Sequence, residues 1–284
     1  MFNKIKDMFG KGGGANDSGM HSDLQANAGA DEGVSMGKDA LKQVAKFAKE
    51  KKLVYADRPG NKGYTLDGQV RGKHYKVERG HPSRQYIEGI ELRLRCDLGV
   101  SPDASLMVVN RHLKSSLDNN AFSSFTDTME TMVNTNLPEE VLWLTMYGEV
   151  GWPELGERFV NDYCILAERR DHARALVTPE FVKLLETWPN LRMTKPTLFM
   201  LMRGRLYLRM QFDDDLFTLE HAIDAFNVLC GSVLDQAALL AHPKFVSGQF
   251  NTGFIAEHYG KGFHAEDVPH SDPLFLVALA AFMH

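Results

Sequence analysis

The sequence predicts an α+β fold in which an antiparallel sheet of hairpin and meander strands packs against helices. Segments with period-two hydrophobicity follow one another between Gly60 and Asn110 and again between Leu198 and Phe212. Helical periodicity lies before and after these segments instead of alternating with them, as regular βαβ units would require. The 284 residues are 44% hydrophobic and 24% charged, which is enough apolar material for a sizeable core.

Residues 1–37 are predicted to form a short amphipathic helix followed by a disordered, glycine-rich tether. In the opening MFNKIKDMF, the apolar side chains of one helical face are Phe2, Ile5, Met8 and Phe9. From Gly10 to about Gly37 the chain is rich in Gly, Ala, Ser, Asp and Asn and offers little to bury. A helix this short is marginal in water, so it would form against a membrane surface or a protein partner, the alternative being a frayed terminus.

The first half of the main domain is predicted to be a helix followed by strands. The helix runs from about Met36 to Lys52, with lysines on its solvated side. A hairpin then turns at Asp67–Gly68, because Asp-Gly favours hairpin turns. The further strands are 75–79, 90–95 and 106–109. In the second of these, apolar residues alternate with Glu91, Arg93 and Arg95, so we expect that polar side to meet water or a ligand.

The second half is predicted from shorter signals. Residues 114–136 form one helix or a helix and a loop, and the apolar runs 141–146 and 163–167 form core strands. A helix begins after Thr178 as N-cap, a hairpin turns at Arg203–Gly204, and a long core helix follows the aspartates 213–215.

Composition and motifs exclude several classes of function. A formal charge of −5 and a pI near 6.1 argue against a nucleic-acid partner. The three cysteines lie far apart, so we expect neither a disulfide framework nor a zinc site, and a reducing, cytoplasmic location. Phosphate-loop, dinucleotide-binding, HExxH and GxSxG motifs are absent from the sequence. We therefore predict no catalytic residue, no cofactor and no metal.

Charged residues on the strands give two alternatives. The residues concerned are Arg93, Arg95, Arg203, Arg205 and Arg209, with Glu88 and Glu91. The guanidinium groups could bind an anionic ligand, since arginine holds phosphate and carboxylate with two hydrogen bonds. Alternatively they form cross-strand pairs with the glutamates on a solvated sheet face.

The chain changes character at Ala241. Residues that match a known pattern there are His242, Pro243, Phe245, Gly248, Asn251, Thr252, Phe254, Ile255, Tyr259, Gly262 and Phe263, followed by residues 280–284. With them, the segment resembles the end of the biotin carboxylase module, and the linker after it, in the biotin-bearing subunit of propionyl-CoA and related acyl-CoA carboxylases. The resemblance implies a structural segment near a subunit contact. The ATP-grasp and biotin-attachment sequences of that family are absent here.

These observations predict three regions, 1–37, 38–240 and 241–284, in a non-catalytic protein that associates with an acyl-CoA carboxylase through its tail. The predicted partner-binding residues of the tail are Phe254, Ile255, Leu274, Phe275, Leu279 and Phe282. One alternative is a membrane-surface or protein-docking module that acts through the N-terminal helix at the inner membrane. A truncated or fused carboxylase fragment is another.

Overall fold

A nine-stranded antiparallel sheet organises the chain. The computed structural model describes residues 36–59, 62–126, 139–188, 195–249, 251 and 253–263. The strands are β1 (Val54–Asp57), β2 (Tyr64–Val70), β3 (Lys73–Gly80), β4 (Glu91–Asp97), β5 (Leu106–Asn110), β6 (Gly148–Val150), β7 (Tyr163–Ala167), β8 (Thr197–Met202) and β9 (Arg205–Gln211). Their order across the sheet is β1-β2-β3-β4-β9-β8-β5-β7-β6. The predicted α+β class with an antiparallel sheet is confirmed.

Helices cover both faces of this sheet. They are α1 (Lys38–Glu50), α2 (Arg111–Thr126), α3 (Glu139–Met146), α4 (Glu157–Asp162), α5 (Arg170–Leu176), α6 (Pro179–Glu186), α7 (Leu216–Ala241), α8 (Pro243–Val246) and α9 (Phe254–Tyr259). The apolar residues of α1, α5, α6 and α7 form the main core with one face, which we call the first face. Residues of α2 and α3 pack on the opposite, second face.

Cap residues fix where two of these helices begin. Thr178 Oγ1 accepts the backbone N–H of Phe181 at 3.3 Å, and Pro179 occupies the first position of α6, as predicted. Asp215 accepts the N–H of Thr218 at 2.7 Å and starts α7. By length and composition alone α7 could cross a membrane, but one of its sides is buried in the main core.

The predicted hairpin turn at Asp67–Gly68 is wrong. β2 continues through both residues, and the chain reverses at Arg71 and Gly72, whose φ angles are 48° and 77°. Two successive positive φ angles are what a type I′ hairpin turn requires. Gly68 lies inside β2 and allows the ring of Tyr75 to approach closely, because a Cβ at this position would lie 2.3 Å from that ring.

The predicted strand at 141–146 is also wrong. This run belongs to α3, which places Val141 and Trp143 in the core of the second face. A short apolar run has the same composition in a strand and in a buried helical turn, so its periodicity could not separate the two. The strands predicted at 163–167 and 106–109, and the hairpin turn at Arg203–Gly204, are confirmed.

Candidate functional site

The C-terminal end of the described chain is built around six rings, which we call the C-terminal cluster. Its members are His242, Phe245, Phe254, His258, Tyr259 and Phe263. The ring of His242 stands edge-on to that of Phe254, with 4.8 Å between centroids and 82° between planes. The rings of Tyr259 and Phe263 stack at 4.2 Å. Edge-on and offset arrangements of this kind are favourable between aromatic rings.

Local sequence explains how the chain enters this cluster. Pro243 cannot continue α7, so α7 ends at Ala241 and His242 adopts an extended backbone. The Nδ1 atom of His242 accepts the backbone N–H of Lys244 at 3.2 Å and thereby caps α8. The long helix and the C-terminal segment are therefore separated at His242–Pro243.

Two further contacts fasten the segment. The hydroxyl of Tyr259 donates to the carbonyl of Ala238 in α7 at 3.4 Å. Lys244 Nζ lies 2.9 Å from Glu257 Oε1, which joins α8 to α9, and Lys244, followed by His258, lowers the pKa of Glu257. The helices α8 and α9 are thus attached to the end of α7, the longest of the described helices.

Some apolar side chains at this end face outward. Leu240 is 57% exposed, Val246 71% and Ile255 47%. Large exposed apolar side chains are candidates for contact with another molecule. Sequence reasoning identified Ile255 as a partner-binding residue but missed Leu240 and Val246.

The predicted partner-binding residues therefore divide into three groups. Phe254 is only 4% exposed because it fills the centre of the C-terminal cluster, so its side chain is not on the described surface. Ile255 is on that surface. The others lie outside the described residues: Phe2, Ile5, Met8, Phe9, Leu274, Phe275, Leu279 and Phe282.

The arginines predicted to bind an anion are spread over the second face and one hairpin. Arg209 Nη1 donates to Glu91 Oε1 at 2.7 Å, and Arg205 Nε donates to Asp97 Oδ2 at 3.1 Å. Arg93 Nη1 lies 3.6 Å from Glu91 Oε2 and Arg93 Nε lies 3.9 Å from Glu78 Oε2. Cross-strand pairs therefore engage three of the five predicted residues.

The two remaining arginines lie at different places. Arg95 is exposed on β4, directly opposite Lys76 on β3. Arg203 occupies the turn between β8 and β9, with φ of 51°. None of the five arginines lines the cleft beside β6 and β7 or the smaller cleft between α1 and α7. Anion binding at these residues stays a prediction.

The expectation that Glu91 meets water or a ligand is wrong, because this carboxylate is fully buried. One of its oxygens accepts from Arg209 and the other accepts the backbone N–H of Ser83 at 2.6 Å. The loop 81–90 covers it. Alternation in β4 indicated which face Glu91 occupies, but it carried no information on what covers that face.

A second buried carboxylate, Glu140 of α3, completes an ionic cluster that the sequence did not reveal. Its Oε1 accepts from Arg84 Nε at 2.9 Å and from the hydroxyl of Tyr86 at 3.1 Å, and it lies 3.8 Å from Arg209 Nε. Burial and then the Glu140 charge raise the pKa of Tyr86 well above its usual range. Burial disfavours the charged guanidinium of Arg84, but Glu140 and Tyr86 outweigh this and raise the pKa of Arg84. These contacts tie the loop 81–90 and α3 to the sheet.

A cleft of about 320 Å³ lies at the opposite edge, where β6 ends before β7 does. Its lining includes Leu155, Phe159 and Ile165, and also Arg111 and Glu149, which form an ion pair with Nη2 and Oε1 2.7 Å apart. Burial raises the pKa of Cys164, which also lines it, to about 12, so this thiol is neutral. Within the part of the chain that the structure describes, no group of three or more His, Cys, Asp or Glu side chains could hold a metal ion.

Comparisons with known proteins give one partial match in sequence. No protein-family model matches the chain. A stretch of 65 residues is 40% identical to the propionyl-CoA carboxylase alpha chain of Ruegeria pomeroyi and covers 22% of this chain. The match spans only 10% of the length of that curated relative.

Comparison with solved structures finds a distant structural similarity. The mycobacterial trehalose monomycolate transport factor A superimposes with a TM-score of 0.39 and 9% identity, over 69% of this chain and 96% of that protein. Because the similarity is this low, we draw no conclusion from it. The sequence match supports a resemblance to a carboxylase subunit over about a fifth of the chain.

Proposed function

We propose that this chain is a non-catalytic interaction protein that docks onto a biotin-dependent acyl-CoA carboxylase through its C-terminal segment, residues 241–284. The observation that carries the proposal is the partial match to a propionyl-CoA carboxylase alpha chain. What that whole enzyme does is not transferred to this chain, because the match spans a tenth of the enzyme's length.

The geometry supports a docking role for the segment. Its start is attached to α7 by the bond from Tyr259 to Ala238, and its rings pack among themselves. Val246 and Ile255 remain exposed on α8 and α9. Burial of such a side chain in an interface contributes about 1.5–3 kcal/mol before the cost of association. We propose that the apolar residues 274–282, which lie outside the described residues, also contact the partner.

The test measures binding of the full chain to purified propionyl-CoA carboxylase holoenzyme by biolayer interferometry. A chain ending at Phe263 keeps the C-terminal cluster but lacks residues 264–284, and we expect it to bind at least about tenfold more weakly. The double variant Val246→Glu and Ile255→Glu should weaken binding by about tenfold or more, because it places charges in an apolar contact.

Val54→Glu is the matched control. Val54 is exposed on the edge strand β1 and lies outside the proposed docking segment 241–284, so its substitution should leave the affinity unchanged. Unchanged affinity of both the chain ending at Phe263 and the double variant would reject docking through this segment. Equal loss in the Val54→Glu variant would show that the apolar surface acts non-specifically.

A further inference from the structure

Two arginines from opposite sides of β3 meet over Gly80, the last residue of that strand. A Cβ at this position would lie 2.8 Å from Arg58 Nη1 and 3.7 Å from Arg93 Nη2. Arg58 directly follows β1, and its backbone N–H donates to the carbonyl of Gly63 at 3.0 Å, which fixes where its side chain begins. Because Gly80 has no side chain, both guanidinium groups come close to β3 and to each other.

Both guanidinium groups have donors that the described part of the chain does not use. Arg93 Nε is buried and has no hydrogen-bond partner among the described residues. The contacts of Arg93 with Glu91, at 3.6 Å, and with Glu78, at 3.9 Å, are longer than hydrogen bonds. Within the same described ranges, the guanidinium group of Arg58 forms neither an ion pair nor a hydrogen bond. These N–H groups are therefore available to an acceptor from outside the chain.

Two carboxylates lie beside Arg93, and one of them is already compensated. Glu91 accepts from Arg209 Nη1 at 2.7 Å and from a backbone N–H at 2.6 Å. Glu78 is partly exposed, 3.9 Å from Arg93 Nε. Its single charge balances at most one of the two guanidinium groups over Gly80, so Arg58 and Arg93 together retain a positive charge.

We propose that Arg58 and Arg93 bind a phosphate group over Gly80. A phosphate dianion balances two guanidinium groups, and its oxygens accept from several N–H groups at once. Arg58 Nη1 and Arg93 Nη2 lie within 4 Å of one point, so the oxygens of one phosphate can accept from both. Lys76 and Arg95, which are directly paired on β3 and β4, add positive potential that attracts the anion.

This site differs from the anion site predicted from the sequence. Of the five predicted arginines only Arg93 takes part, because Arg205 and Arg209 donate to carboxylates of the chain. Arg58 was not predicted, since spacing along the chain does not show that its side chain reaches β3. The inference goes beyond carboxylase docking, because these residues lie outside the segment 241–284. The phosphate could be a free ion or the headgroup of a lipid such as phosphatidic acid.

Isothermal titration calorimetry of the full chain with inorganic phosphate, at pH 8 and constant ionic strength, measures the affinity. Arg58→Gln and Arg93→Gln should each weaken binding by at least about tenfold, because each removes charged hydrogen bonds to the anion. Arg95→Gln is the matched control. It makes the same change of charge two positions from Arg93 on the same strand, where salt screens its effect, so the affinity should change by less than about threefold.

Gly80→Ala tests the geometry while every charge is retained. The new Cβ would lie 2.8 Å from Arg58 Nη1 and must displace this group, so we expect phosphate to bind about fivefold more weakly or worse. Sedimentation with phosphatidylcholine vesicles, with and without phosphatidic acid, separates the two sources of phosphate. Binding in calorimetry supports a soluble phosphate, whereas binding to phosphatidic acid vesicles alone supports a lipid headgroup.

Three outcomes would overturn the proposal. The first is that the unmodified chain binds neither phosphate source. The second is that Arg58→Gln and Arg93→Gln bind as tightly as the unmodified chain. The third is an equal loss in Arg95→Gln, which would mean that net positive charge, and not the site over Gly80, attracts the anion. If circular dichroism shows that Arg93→Gln does not fold, Arg58→Gln and Gly80→Ala decide.

Discussion

The two faces of the sheet use the same strands in different ways. One row of directly paired residues on the first face is apolar across seven strands: Leu66, Val77, Leu94, Leu208, Phe199, Val108 and Ile165. A row on the second face changes character halfway: Glu78, Arg93, Arg209, Leu198, Val109 and Cys164. The change falls between β9 and β8. The first face is thus a continuous core, and the second face is half core and half charged surface.

Charged side chains are buried where the charged half of the second face meets the apolar half. Glu91 and Glu140 are fully buried there, and Arg209 lies close to both. A substitution in a continuous apolar face removes packing contacts. A substitution in a buried ionic cluster leaves a buried charge without its partner. The two faces should therefore respond to different substitutions.

The largest expected effect comes from removing the shared cation. Arg209→Met leaves two buried carboxylates with less compensation, and we expect a loss of about 3–5 kcal/mol in the free energy of unfolding, measured with urea. Adding Glu91→Gln should recover part of the loss, because it removes one of the uncompensated charges.

Arg205→Met is the control for this variant. Arg205 lies on the same strand as Arg209, but its ion pair with Asp97 is exposed, so the loss of this pair should cost about 0–1 kcal/mol. Equal losses in Arg209→Met and Arg205→Met would show that the boundary cluster contributes no more than a surface pair.

The next effect tests the tight packing of the first face. In Gly68→Ala the new Cβ would lie 2.3 Å from Tyr75 Cζ and 2.8 Å from Leu53 Cδ2, so side chains must shift. We expect a loss of about 1–3 kcal/mol in the free energy of unfolding.

Gly148→Ala in the edge strand β6 gives the matched comparison. Nothing lies within 4 Å of a Cβ there, so the same measurement should change by less than about 0.5 kcal/mol. If both variants are equally stable, the approach of Tyr75 to Gly68 is looser than the structure indicates.

The smallest effect appears only at high pH. Burial raises the pKa of Cys164, on the apolar half of the second face, from 9.0 to about 12. The unfolded chain ionises this thiol first, so stability is full below pH 9 and falls as the pH rises towards 12, by up to about 1.4 kcal/mol per pH unit. Urea unfolding of Cys164→Ala at pH 8, 9 and 10 should lack this part of the decline.

Cys230→Ala extends the test to the first face. Burial also raises the pKa of Cys230 well above its usual range, so this variant should lose a similar part of the decline. If Cys164→Ala alone loses stability with rising pH as the unmodified chain does, the apolar half of the second face admits water.

Sequence reasoning succeeded where periodicity alone decides the structure. The alternation in β4 and β9 and the helical spacing in α1 and α7 follow from one buried side, and Thr178 and Arg203–Gly204 marked boundaries by local chemistry. It failed at 141–146, where the run is apolar throughout, and at Asp67–Gly68, where a turn sequence lies inside a strand.

For the candidate sites, the sequence showed which residues share a face but not what lies above them. Glu91 was placed on the correct side of β4, yet its burial depends on the loop 81–90 and on an arginine from a distant strand. The burial of Phe254 and the contact between His242 and His258 likewise depend on how α8 and α9 fold against each other. Spacing along one element cannot reveal such contacts.

The pairing of β4 with β9 has a consequence for how the chain acquires its structure. Strands β1 to β4 can assemble from neighbouring hairpins, but β4 meets a strand about a hundred residues later. Closing so long a loop costs entropy before any contact repays it, so we expect this junction to form last and to limit the folding rate. During synthesis, strands β1 to β4 would therefore keep an unpaired edge at β4 until β9 and α7 have left the ribosome.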